Sequence, residues 1–193
     1  MSNENLKENF QDTIISFIKK KLNFIISFLI FIFIVLLLFL INQNQQKKNS
    51  IKISEQYTEA SLLIKQKKTA ESRLLLERII SKEHQLYSPL ALYLIIDNNI
   101  ERDSSKIISY FNKIIENNSI EKENLNLIKI KKAIYLINLD NEKLIVETLN
   151  PIINSNSAWR LLAINIISEY FYSKNQKIKA EEYIQLLNNQ NNK

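Results

Sequence analysis

Residues 22–41 read LNFIISFLIFIFIVLLLFLI, carry no charge and include only Asn23 and Ser27 as polar side chains. At about 1.5 Å rise per residue this run makes a helix of roughly 30 Å, the thickness of a bilayer's hydrocarbon core. A helix without a polar face over that length does not suit the surface of a soluble domain, so the run predicts a transmembrane helix. A cleaved secretory signal is the alternative, but its apolar core is shorter, about 7 to 15 residues, and ends in small residues. Here Ile41 is followed by Asn42, Gln43, Asn44, Gln45, Gln46, Lys47 and Lys48, with no A-x-A-like site. The run reads as an uncleaved signal anchor.

Lysines flank it on both sides: Lys19, Lys20 and Lys21 abut the span, whereas Lys47, Lys48 and Lys52 stand a few residues beyond it. The tighter cluster favours a cytoplasmic N-terminus, and a long following domain is translocated largely regardless of its charge. That predicts a single-pass protein whose C-terminal domain faces outward; a reversed, cytoplasm-facing docking domain stays open on charge alone. In the leader, residues 1–21, Leu6, Phe10, Ile14 and Phe17 recur at helical spacing. Such a stripe lets an amphipathic helix lie on membrane lipid, unless it merely extends the transmembrane helix.

The tail divides by composition into a polar linker, residues 42–49, and a domain, residues 50–193, long enough for one hydrophobic core. Glycine is absent and proline occurs twice, so a hairpin-rich β domain would lack its turn residues, and an all-α fold follows. Asparagine, which tolerates left-handed geometry, stands where helices should stop, at Asn98 and Asn99, Asn117 and Asn118, Asn154, Asn175, Asn188 and Asn189. Start signals agree. Ser88 is placed to cap a helix with Pro89 in its first turn, and Asp103 or Ser104, Asn118 or Ser119, Asp140, and Asn156 or Ser157 are weaker caps. Together these predict helices near 50–66, 68–82, 89–100, 104–117, 119–138, 141–154, 157–174 and 176–189.

Short links between amphipathic helices favour antiparallel pairs, and a helix-turn-helix recurring near 34 residues marks a tetratricopeptide stack. Ala70, Ile107, Ile145 and Ala180 align in the second helices, which predicts a tetratricopeptide-like stack of about four hairpins. Ser168 and Ala180 fit the two small-residue positions where paired helices approach closely. In such a hairpin the first helix lines the concave face, which singles out Asn165, Glu169 and Tyr172 as partner-binding positions. Trp159 is expected to anchor the last hairpin in the core, and Arg160 to pair with a carboxylate or cap a helix end.

Catalytic chemistry is hard to assemble from these residues. Cysteine is absent, which excludes disulfides and thiolate metal sites, and no Gly-rich phosphate loop exists. The lone His84 is expected at a helix end, in solvent or near helix carbonyls, and Glu121, Glu123, Glu181 and Glu182 on solvated faces. The net charge of +6 is mixed in sign and not interleaved with stacking aromatics. The chain is therefore expected to be no enzyme, with no cofactor, metal, small-molecule substrate or nucleic acid, and with other proteins and membrane lipid as its partners.

The charged leader before one span, the helical tail, and the segment Ala158, Trp159, Arg160, Leu161, Leu162, Ala163 leading to Glu169 and the turn and helix of residues 175–181 together resemble the ancillary SecYEG translocon subunit family, the YfgM-like proteins with a tetratricopeptide-like domain. A departure is Asn175 and Gln176 where a glycine is usual. The resemblance implies a bacterial inner-membrane protein with a cytoplasmic N-terminus and a periplasmic domain, associated with the export channel and periplasmic chaperones. The expected function is a membrane-anchored, non-catalytic interaction module, a translocon-associated chaperone or scaffold. An assembly scaffold for another envelope complex has the same sequence signature.

Overall fold

A run of helix formers without glycine or proline from residue 2 to residue 65 has nothing to break it, and it folds as one helix. A computed structural model describes residues 2–188, with side chains described at 24 and 26–187. The first helix, α1, spans Ser2–Lys65. All side chains from 26 to 41 are exposed on it, and among the described residues it is the one helix long and apolar enough to cross a membrane. The stretch 42–49, expected as a linker, is helical, because its Gln and Lys residues favour helix and its asparagines are not enough to interrupt it. The expected stripe of Leu6, Phe10, Ile14 and Phe17 lies outside the described side chains. The chain divides into two units, Met1–Lys52 and Ile53–Lys193.

The second unit continues with α2 (Thr69–Ser81), α3 (Tyr87–Asp97), α4 (Ser104–Ile115), α5 (Lys122–Asn138), α6 (Glu142–Ile153), α7 (Arg160–Ser173) and α8 (Lys177–Asn188). From α2 onward each helix packs on the next, and α5 also meets α7. Two apolar clusters form, one around Leu76, Leu92, Ile95 and Phe111, the other around Leu136, Leu149, Ile164 and Phe171. Burying each such side chain contributes about 1.5–3 kcal/mol. Both clusters draw on several hairpins, so the stack depends on its neighbours.

The hairpins turn without glycine. Lys67, Asn99, Asp140 and Asn175 follow the first helix of each pair with φ of 62°, 50°, 53° and 57°. At each turn the next amide reaches back to close the helix: Lys68 to Leu63, Ile100 to Ile95, Asn141 to Leu136 and Gln176 to Phe171, at 2.9–3.3 Å. This is the Schellman arrangement, with the left-handed residue just past the helix end. Asn99 and Asn175 meet the expectation for asparagine. Lys67, Asp140 and, between α2 and α3, Glu83 (φ 53°) are not asparagines, while Asn98, Asn117, Asn118 and Asn154 stay outside the left-handed region, Asn98 at φ −102° and Asn154 at φ −90°.

Aligning those four turns fixes the repeat. Seven residues before each left-handed residue stand Ala60, Leu92, Ala133 and Ser168, all buried. In three hairpins the partner on the second helix follows twelve residues later, as Ser72, Ile145 and Ala180; in the second hairpin Ile107 follows fifteen later, because residues 101–103 lengthen the turn. Ser72 thus corrects the expected Ala70, which is exposed. Ser72 is fully buried and its Oγ donates to the Ala60 carbonyl at 3.0 Å, a contact that needs small side chains at both positions. The seams between hairpins carry a matching polar contact. Tyr110 Oη donates to Glu77 Oε1 at 2.9 Å, and Tyr183, at the equivalent place, donates to Asn150 Oδ1 at 3.4 Å. At the middle seam the equivalent Asn112 instead accepts from Lys132 Nζ at 2.7 Å.

Several caps differ from expectation. Asp103 caps α4 through Ser105 N at 2.9 Å, as anticipated, but α6 is capped by Asn141 to Leu144 N at 3.1 Å, since Asp140 is consumed by the turn. Ser88 caps nothing. It lies inside α3 and donates to the Ile79 carbonyl at 2.8 Å, while His84 Nδ1 accepts from the Leu86 and Tyr87 amides at 3.2 Å. Through Nδ1, His84 therefore serves the amide start of α3. Burial lowers its pKa, in keeping with a neutral ring that accepts hydrogen bonds. Asn118 and Ser119 precede α5 rather than capping it; Asn117 Oδ1 accepts from Ser119 N at 2.9 Å.

Candidate protein-interaction groove

Two first-of-pair helices, α3 and α5, flank a groove. Leu86, just before α3, and Pro89, Tyr93 and Ile96 on it recur at helical spacing, and on α5 Asn124, Ile128, Lys131, Tyr135 and Asn138 do the same. The two rows meet in a pair of clefts. The first, about 500 Å³, is lined by Leu86, Pro89, Leu90, Tyr93, Leu127 and Ile128. The second, about 540 Å³, brings Ile96, Asn99 and Arg102 together with Tyr135 and Asn138. Between them Lys131 Nζ lies 5.7 Å from the centre of the Tyr93 ring, a cation–π contact from one helix to the other. Burial pushes the Tyr93 phenol up to about 12. Leu86 keeps 54% of its surface exposed, and Ile134 on α5 keeps 45%. Apolar surface in a concave seam flanked by polar groups is the form that protein-binding grooves take.

The lengthened α3–α4 turn is fixed by ion pairs. Glu101 Oε1 accepts from the amides of Arg102 and Asp103 at 2.9 and 3.0 Å. Its Oε2 lies 2.9 Å from Arg73 Nη2 and 3.3 Å from Lys106 Nζ. These are charge contacts with poor hydrogen-bond alignment, so Oε2 is buried and ion-paired but not filled as an acceptor. The amides of the turn, led by that of Asp103, hold the Glu101 carboxyl below its ordinary range against the opposing effect of burial. Glu77 accepts from Arg73, Lys106 and Tyr110 at 2.7–2.9 Å; burial alone would raise its pKa, but those three bonds prevail and hold it at about 2. The four charges of Arg73, Glu77, Glu101 and Lys106 balance.

Asn165, Glu169 and Tyr172 share one exposed face of α7, at the positions that Pro89, Tyr93 and Ile96 occupy on α3. None of the three makes a side-chain hydrogen bond, and they lie outside the α3–α5 clefts. Leu162, 40% exposed, completes that face. Trp159 packs half-buried against the edge of the second core cluster. Arg160 caps helix ends: Nε donates to the Ile153 carbonyl at the end of α6 at 2.7 Å, and Nη2 to the Leu186 carbonyl in α8 at 3.0 Å. Ser168 and Ala180 are both buried. Glu123 is not on a solvated face. It accepts from Ser157 Oγ at 2.7 Å and the Ala158 amide at 3.1 Å, and so closes the entry to α7.

Among the described residues, no three His, Asp or Glu side chains gather as metal ligands. No family model, no curated protein and no solved structure matches the chain. What the groove offers chemically is burial of apolar side chains at one end and hydrogen-bond donors at the other. Its α3 and α5 residues were not singled out from sequence. The signal that finds them is the alignment of the four left-handed turns, which carries the α7 face back onto Leu86, Pro89, Tyr93 and Ile96.

Proposed function

We propose that this chain is a membrane-anchored, non-catalytic protein-interaction module whose working surface is the α3–α5 groove. The observation that carries the reading is the cleft lined by Leu86, Pro89, Leu90, Tyr93, Leu127 and Ile128, largely apolar with Gln85, Glu121 and Asn124 beside them, concave and open to solvent. Protein partners with exposed apolar side chains suit such a surface, and anchoring the module raises the effective concentration of weak contacts. The resemblance of the leader, span and the Trp159, Arg160 segment to ancillary translocon subunits supports a bacterial inner-membrane location. It also supports an outward-facing domain that meets exported chains, the SecYEG channel or periplasmic chaperones.

The test is photocrosslinking in intact membranes from a probe amino acid placed at Leu86 or Leu127. Adducts with channel subunits, exported chains or periplasmic chaperones are expected, and fewer from a probe at exposed Leu74 on α2. Recovery of cytosolic proteins alone would overturn the reading.

A further inference from the structure

The polar end of the groove has a chemistry of its own. Asn99, Arg102, Tyr135 and Asn138 converge, beside Glu101, on one cleft, and none of the side-chain polar groups of those four has a hydrogen-bond or ion-pair partner among the described residues. Guanidinium, phenol and two carboxamides are mostly donors, and a guanidinium matches a carboxylate in planar, two-pronged fashion. The acids nearby are already occupied. Glu101 is held by Arg73, Lys106 and two amides, and Asp103 caps α4. The carbonyls ending α3 and α5 are largely satisfied by the Schellman bonds of the turns. Arg102 is the cation of this lining beside Glu101, whose charge is balanced within its own ion pairs, and Lys131 over Tyr93 adds a second cation between the clefts. At the apolar end Glu121 is the charged residue of the lining, so an anion is not favoured there.

We infer that the polar cleft binds a carboxylate, and that the groove's ligand is an extended peptide segment carrying an acidic group about 15 Å from an apolar anchor. This rests on the interaction reading above. The distance follows from the ten residue steps from Leu86, the N-cap of α3, to Ile96 at about 1.5 Å each, and an extended chain covers it in four or five residues. The donor cluster fixes the direction: apolar side chains at Leu86 and Leu127, carboxylate at Arg102. The carboxylate comes either from an Asp or Glu side chain or from a chain's own C-terminus.

Calorimetry with the full chain in lipid nanodiscs tests this with three acetylated pentapeptides. All begin with two leucines followed by Ser, Ala and Ser; one ends as the free acid, one as the amide, and one as the amide with Asp in place of the last Ser. At least one carboxylate peptide is expected to bind tenfold or more tightly than the plain amide. Preference for the free acid alone assigns the site to chain termini; preference for the Asp peptide assigns it to side chains. Arg102→Gln removes the preference and Glu121→Gln does not. Equal binding of all three, a preference that survives Arg102→Gln, or no binding at all overturns the carboxylate site. Each of those outcomes leaves the interaction reading to its own crosslinking result, so the two fail separately.

Discussion

Replacing Lys67 by glycine should stabilise the first hairpin. Lys67 holds φ at 62° between α1 and α2, is exposed, and its side chain makes no hydrogen bond or ion pair. For an L-residue with a Cβ, the left-handed conformation costs roughly 1–2 kcal/mol. Glycine removes that cost but adds about 0.5–1 kcal/mol of unfolded-chain entropy, leaving a net gain of about 0.5–1 kcal/mol. Lys67→Ala keeps the Cβ and is expected to gain nothing. In a chain of this length a gain of 1 kcal/mol raises Tm by about 2–4 °C, readable by circular dichroism of the detergent-solubilised protein. A stacked array need not unfold in one step, so amide exchange in α2 is the sharper readout. Slower exchange there is expected for Lys67→Gly only. Equal stability of the glycine and alanine variants would refute the claim that the turn stores backbone strain.

Arg160→Ala removes two charge-assisted bonds to carbonyls of α6 and α8. It should cost about 2–3 kcal/mol, seen as faster proteolysis of α8. The two buried serines should respond oppositely. Ser72→Ala loses the bond to the Ala60 carbonyl and should cost about 1 kcal/mol in denaturant unfolding, whereas Ser168 Oγ is buried without a partner, so Ser168→Ala should be neutral or stabilising. The lowered pKa of Glu77 makes a pH prediction. A carboxyl held below its ordinary 4.5 stabilises the fold fully above that value and loses its contribution as pH falls toward about 2. Acid titration followed by amide exchange in α2 and α4 should show that loss, and Glu77→Gln should abolish it.

The helices were legible in the sequence, since apolar spacing and the absence of glycine leave little else. Boundaries were less so, because a cap is a competition among neighbours. Asp140 looks like an N-cap, but the turn takes it into the left-handed region and Asn141 caps instead. The repeat was half legible. Ser168 and Ala180 follow from their spacing, while the unequal intervals between repeats leave the two-residue offset from Ala70 to Ser72 invisible in the sequence. Only the Oγ bond to Ala60 shows why serine fits. Arg160 was recognisable as a capping residue but not its carbonyls, and Glu123 was hidden because its partners lie some thirty residues onward. The groove escaped because the fifteen-residue spacing in the second hairpin breaks the register that the last hairpin displays.

The tyrosine contacts at the seams divide the four hairpins into two kinds. Tyr110 and Tyr183 are each preceded by a lysine at the same offset, Lys106 and Lys179, and each meets an acceptor on the hairpin before, Glu77 or Asn150. The second and fourth hairpins therefore present one kind of surface and the first and third the other, the pattern that doubling of a two-hairpin block would leave. Excising residues 107–179 would fuse Lys106 to Ala180 and bring Tyr183 opposite Glu77. A relative of this protein with half its hairpins could be made by subtraction, with its surviving joint already matched.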